Sequence, residues 1–163
     1  MTVPHSPPRP IAAVLTDRLD DVAVADTAVR LARTHQAPLL LVAVLPAHAG
    51  DGDARAVLAR VLPRVGPAGL GHIPAAHRLP PRRDTRLRTA AGLLALACRN
   101  RCDAVVAART GPAGLDAAAL REAAALRGGP PVHTTVPASW APPRATARRP
   151  LSDAPESPGT TPR

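Results

Sequence analysis

The chain has 163 residues, the size of one domain that buries about 70% of its unfolded surface around one core. Its formal net charge of +9 comes from 21 basic residues, every one an arginine, set against 12 acidic ones, and there is no Phe or Tyr, so the stacking platforms of single-stranded nucleic-acid binders are missing. No apolar run approaches the ~18 residues that cross a bilayer, and "MTVPHSPPRP" has neither a basic nor an apolar leader segment; a soluble, cytoplasmic protein with no membrane partner is expected.

Both ends read as disordered tails, residues 1–10 being proline-rich and 138–163 rich in proline and arginine, with few large apolar side chains to offset the entropy of ordering. Between them, residues 11–137 form the expected domain, and the stretch Ile11 to Val136 holds 16 Arg against 10 Asp plus Glu. The excess there is +6, and the rest of the charge lies in the tails.

"IAAVLT" (Ile11 to Thr16) is a short apolar run suited to a strand buried on both faces. Asp20 is placed to cap a helix carrying Val22, Ala25, Val29 and Ala32 at helical spacing. "LLLVAVL" (Leu39 to Leu45) is the second buried strand. Asp53 is placed to cap the next helix, with Val57, Leu58, Val61 and Leu62 on one face and Pro63 ending or kinking it. "GHIPAAHRL" is a weak strand pattern, but a crossover helix must return to the sheet there, so it is assigned the third strand.

Asp84 is expected to cap the most regular helix, with Leu87, Ala90, Ala91, Leu94, Ala97 and Cys98 on one side. Around it, Arg78, Arg82, Arg83, Arg86 and Arg88 read as a solvated loop and helix start rather than a phosphate-backbone patch. Cys98 and Cys102, with no second thiol pair and no histidine at ligand spacing, read as small buried or half-buried hydrophobes, with redox sensitivity as the alternative. "DAVVAA" is the fourth strand, Asp116 starts a helix through Leu120, Ala123 and Ala124 that Gly128 and Gly129 end, and "PVHTTV" (Pro131 to Val136) is the fifth strand with His133 outward.

The expected fold is therefore α/β: a five-stranded parallel sheet, doubly wound, which takes ligands at the carboxyl ends of its strands where strand order reverses. The residues at those ends with chemistry to offer are Thr16 and Asp17 after the first strand, and Arg109, Gly111 and Gly114 after the fourth. All four serines (Ser6, Ser139, Ser152, Ser157) lie outside the expected domain, and no histidine has an obvious carboxylate or cysteine partner in sequence. No enzyme and no metal site are expected.

The phrases "AAVLTD", "AVRLARTHQAPLLLVAVLP", "LLALACRNRCDAVVAARTGPAGL" and "GGPPVHTTVP" resemble, in order, the first strand, the first helix with the second strand, the third helix with the fourth strand and its loop, and the last strand of the universal stress proteins. The resemblance implies a nucleotide site built on G-x-x-G, nine residues, then G-S or G-T, whose glycines admit backbone N–H groups to phosphate and whose hydroxyl adds a donor. This chain departs from it. Ala107 stands where that family has glycine after the two strand valines, and nine residues beyond Gly111–Gly114 come Ala124 and Ala125. Thr16, Asp17, Arg109, Gly111 and Gly114 thus form a degenerate nucleotide site.

The resemblance implies a non-catalytic, stress-linked or regulatory module, a homodimer through the Pro131–Val136 edge strand. No cofactor is expected, since ATP would need a loop of another geometry. The rival readings are an ATP-binding universal stress protein with an atypical loop, and an arginine-rich nucleic-acid binder marked by strong salt dependence. Nucleic acid is not the expected partner.

Overall fold

The computed structural model describes residues 7–81 and 85–135. The three apolar runs become β1 (Ile11–Leu15), β2 (Leu39–Leu45) and β4 (Ala104–Ala108), each buried along its whole length. With β3 (His72–Arg78) and β5 (Val132–Thr135) they make a parallel five-stranded sheet in the order β3-β2-β1-β4-β5.

Successive strand residues alternate between faces, and each face has its own core. On one side Ile11, Ala13, Leu15, Leu39, Leu41, Val106 and their neighbours pack against α1 (Asp21–His35) and α2 (Asp51–Val65). On the other, Ala12, Val14, Leu40, Val42, Val105 and Val132 pack against α3 (Arg86–Arg99) and α4 (Ala117–Arg127). The doubly wound α/β architecture expected from the alternating pattern is the one observed. Order reverses at β1, which separates β2 from β4.

The helix starts differ from the sequence expectation in instructive ways. Asp20 makes no side-chain cap, because its own backbone is already helical (φ −66, ψ −17) rather than extended. Asp21 reaches back instead, accepting from the Thr16 N–H at 2.9 Å and the Arg18 N–H at 3.2 Å. In α2 the cap position is Gly50, and Asp53 accepts the Gly50 N–H at 2.9 Å from inside the first turn. Pro63 does not end the helix, which continues to Val65; having no N–H, it cannot donate to the Ala59 carbonyl one turn back. The buried stripe of α2 is Val57, Val61 and Val65, while Leu62 is exposed.

For α3 the cap is Thr85, whose Oγ1 accepts the Arg88 N–H at 3.3 Å. Arg82, Arg83 and Asp84 lie outside the described residues, as do Val136 and the 138–163 tail. Cys102 is buried but Cys98 is exposed, so only one of the two thiols behaves as a core residue. Asp116 caps α4 as expected, accepting the Ala119 N–H at 3.0 Å.

The weak third strand pairs with β2 over all seven residues, from Leu39↔His72 to Leu45↔Arg78, and forms one sheet edge. Leu39 N–H donates to Gly71 O and Leu79 N–H to Leu45 O, so odd-numbered residues of this strand turn their backbone toward β2 and even-numbered ones toward the open edge. Pro74 is even-numbered, and its missing N–H falls where no ladder bond is lost. Among the described residues no helix is long and apolar enough to cross a membrane.

Candidate functional site

The carboxyl ends of β1 and β2 open onto a cleft of about 630 Å³, walled by Thr16 and Asp17 after β1, by Pro46 and His48 after β2, by Asp53 and Arg60 of α2, and closed on the β4 side by Pro112. Thr16 and Asp17 were legible as strand-end residues. Arg60 and Asp53 were not, because nothing in their local pattern says that α2 leans over the end of β1, and neither was His48, in the loop between β2 and α2.

Asp17 sits in the left-handed region at φ 62, a conformation that costs a non-glycine residue free energy and persists only where its surroundings enforce it. Two groups enforce it. The buried Asp21 carboxylate, 3% exposed, holds the turn through the Thr16 and Arg18 N–H groups. Desolvation by burial pushes the Asp21 carboxyl above its ordinary value, with those N–H groups pulling the other way. Asp17 itself forms an ion pair with Arg60 across the cleft, both side chains being about half exposed. Asp53 is committed to the Gly50 N–H.

The loop after β4 is arranged for packing. Gly114 has φ +87, and a Cβ there would lie 2.4 Å from the Arg86 carbonyl oxygen and 2.8 Å from Thr89 Cβ. The glycine lets the loop press against the first turn of α3. Arg86 completes the junction with its guanidinium, 3.1 Å from Asp116 and 3.5 Å from Glu122. Partial burial would push the Asp116 carboxyl up, but the Arg86 bond and the Ala119 N–H outweigh it and hold the carboxyl below its ordinary value.

Gly111, by contrast, has only ordinary contacts, the nearest atom to an added Cβ being Asp116 N at 3.7 Å. Arg109 is exposed and lies outside the cleft wall. Ala107 is fully buried in the core beneath α3 and α4. The sequence-derived set is therefore divided: Thr16 and Asp17 wall the cleft, whereas Arg109, Gly111 and Gly114 do not, and the loop reaches it through Pro112. Among the described residues no group of three or more His, Cys, Asp or Glu is placed to hold a metal ion.

Neither a family model nor a curated relative matches the sequence. Solved structures do. A universal stress protein family member from Burkholderia pseudomallei superimposes with a TM-score of 0.58 at 20% identity, over 83% of this chain and 100% of that one. The universal stress protein from Archaeoglobus fulgidus in complex with dAMP gives 0.54 at 20% identity, over 78% and 97%. A universal stress protein in complex with cAMP gives 0.57 at 17% identity, over 80% and 98%. The chain has the universal stress protein fold. Against that fold, the phrases quoted from the sequence fall on the elements they were matched to: β1, α1 with β2, α3 with β4, and β5.

Proposed function

We propose that the chain is a non-catalytic, stress-linked regulatory module of universal stress protein type whose cleft does not retain ATP. The observation that carries this reading is Gly114. In a phosphate-holding loop a glycine opens the backbone to the ligand; here its open side is filled by the Arg86 carbonyl. The cleft's charges support the same reading. Its one guanidinium among the described wall residues, Arg60, is already neutralised by Asp17, and Asp53 adds negative charge. The β1 turn's N–H groups at Thr16 and Arg18 are occupied by Asp21.

Each missing charge-assisted phosphate contact is worth about 1.5–3 kcal/mol, so losing two or three takes micromolar binding to millimolar. Calorimetry with Mg-ATP tests this: a dissociation constant weaker than about 10 μM is expected, and a tighter one overturns the reading. The rival, an ATP-binding protein with an atypical loop, draws on the cleft's size and on the dAMP and cAMP complexes of the similar structures. The same titration decides between them.

We further propose that two copies pair through β5. Val105 N–H donates to Pro131 O, so Val132 and Thr134 turn their backbone groups to the open edge. No proline, lysine or inward charge guards that edge within Val132–Thr135, whereas the opposite edge carries Pro74. The Thr134 and Thr135 hydroxyls are buried with no hydrogen-bond partner among the described residues.

A further inference from the structure

At the pole opposite the cleft, the amino ends of β1, β4 and β5 frame a second concavity of about 540 Å³. Both cysteines line it, with Arg9, Arg101 and Asp103, and its far wall is the Gly129–Pro131 segment. The end of α3 brings the thiols there. Cys102 N–H donates to Ala97 O and Arg101 N–H to Cys98 O, both at 2.9 Å, the paired bonds of a Schellman closure, with Arg101 at φ 53 in the place usually held by glycine. The closure turns the chain so that Cys98, exposed, and Cys102, buried, open on one cavity.

The two thiols are not equivalent. Burial, and then the neighbouring Cys98, push the Cys102 thiol up to about 11, leaving it almost without thiolate at neutral pH. Cys98 is exposed in a wall that also holds Arg9 and Arg101, neither of them in an ion pair with another described residue. Among the described wall residues Asp103 is the one carboxylate, and it lies 4.0 Å from His35 Nδ1. A small concave site with an accessible thiol and two cations unpaired among the described residues suits a compact thiol compound that carries carboxylates.

We propose that Cys98 is a thiol–disulfide exchange site for small carboxylate-bearing disulfides, which Arg9 and Arg101 hold by their carboxylates, and that Cys102 stays unmodified. In the step, the Cys98 thiolate attacks one sulfur of the disulfide R–S–S–R. The old S–S bond breaks, a Cys98–S–S–R bond forms, and RS⁻ leaves and takes up the proton lost by Cys98. Cys98 is oxidised and the leaving half of the disulfide is reduced, so no other oxidant enters.

The test incubates the full chain with glutathione disulfide, which carries carboxylates, and in parallel with cystamine, which carries ammonium groups. Adducts are mapped by peptide mass, and the ratio of the two rates is divided by the same ratio in urea-unfolded chain. The expected result is one adduct, on Cys98, and a normalised preference of about tenfold for glutathione disulfide at low salt, the worth of two exposed ion pairs. That preference collapses in 1 M salt, where screening acts within about 3 Å. It also collapses in Arg9→Gln/Arg101→Asn, asparagine being chosen because it tolerates the left-handed conformation. An adduct on Cys102, an intramolecular disulfide as the main product, or a normalised ratio of one or less in the wild-type chain would overturn the proposal. Because the salt series needs no substitution, a misfolded variant does not protect it.

Discussion

Gly114 and Arg86 are in contact through the backbone: a methyl group on the glycine would sit 2.4 Å from the Arg86 carbonyl oxygen. This contact joins the loop after β4 to the first turn of α3, and the Arg86 side chain reinforces it through Asp116 and Glu122. Gly114→Ala should therefore cost about 2–4 kcal/mol, combining the left-handed backbone penalty with displacement of α3. Gly111→Ala, with its nearest contact at 3.7 Å, should stay within about 0.5 kcal/mol. Urea denaturation of both variants checks the contrast, and equal stabilities would refute it.

Releasing Arg60 should partly restore an anion site. In Asp17→Asn the guanidinium loses the partner that neutralises it, so a phosphate entering the cleft no longer competes with a carboxylate. The pair is about half exposed and worth at most about 1 kcal/mol, so Mg-ATP affinity should rise about fivefold and Arg60→Gln in the same background should cancel the gain. Titration of the three proteins decides. No gain in Asp17→Asn means that the cleft does not admit the phosphates at all.

The acid response should have two limbs with separate owners. Burial holds Asp21 above its ordinary 3.8, so the folded chain keeps a proton that the unfolded chain has lost. That group's contribution to stability falls as pH rises from about 4 toward its folded value. Asp116 is held below 3.8, so its contribution is present above that pH and is lost as pH falls through its folded value. Asp21→Asn should remove the decline above about pH 4 and leave the Asp116 limb in place. Denaturant midpoints measured from pH 3 to 7 report both limbs, and an unchanged profile in the variant would count against this assignment.

Pairing through β5 has a sharp substitution. Because Thr134 turns its N–H to the open edge, Thr134→Pro removes a donor that a second copy would use without breaking a bond to β4. Light scattering at tens of micromolar should report a dimer for the wild-type chain and a monomer for the variant, with the circular dichroism of the two alike. A monomeric wild-type chain at that concentration would exclude the pairing.

The fold was legible because its strongest elements are local patterns. Runs such as "IAAVL" and "LLLVAVL" can only be buried on both faces, and the α3 stripe through Ala90, Leu94 and Ala97 marks the side that meets the sheet. Their alternation with helices leaves a parallel sheet as the economical arrangement. The departure from G-x-x-G, nine residues, G-S or G-T was equally plain, since it is a matter of which residues are present. What needed the tertiary structure was every relation between distant segments. Nothing near Gly114 says that α3 occupies its open side, and nothing near Arg60 says that it meets Asp17. Whether Asp20 could cap α1 turned on whether its backbone had already entered the helix, and the exposure of Cys98 turned on which face of α3 packs against the sheet. Periodicity and propensity report what one segment does with its own backbone; which charges pair, which glycine is filled and which thiol stays open depend on packing between elements far apart in the chain.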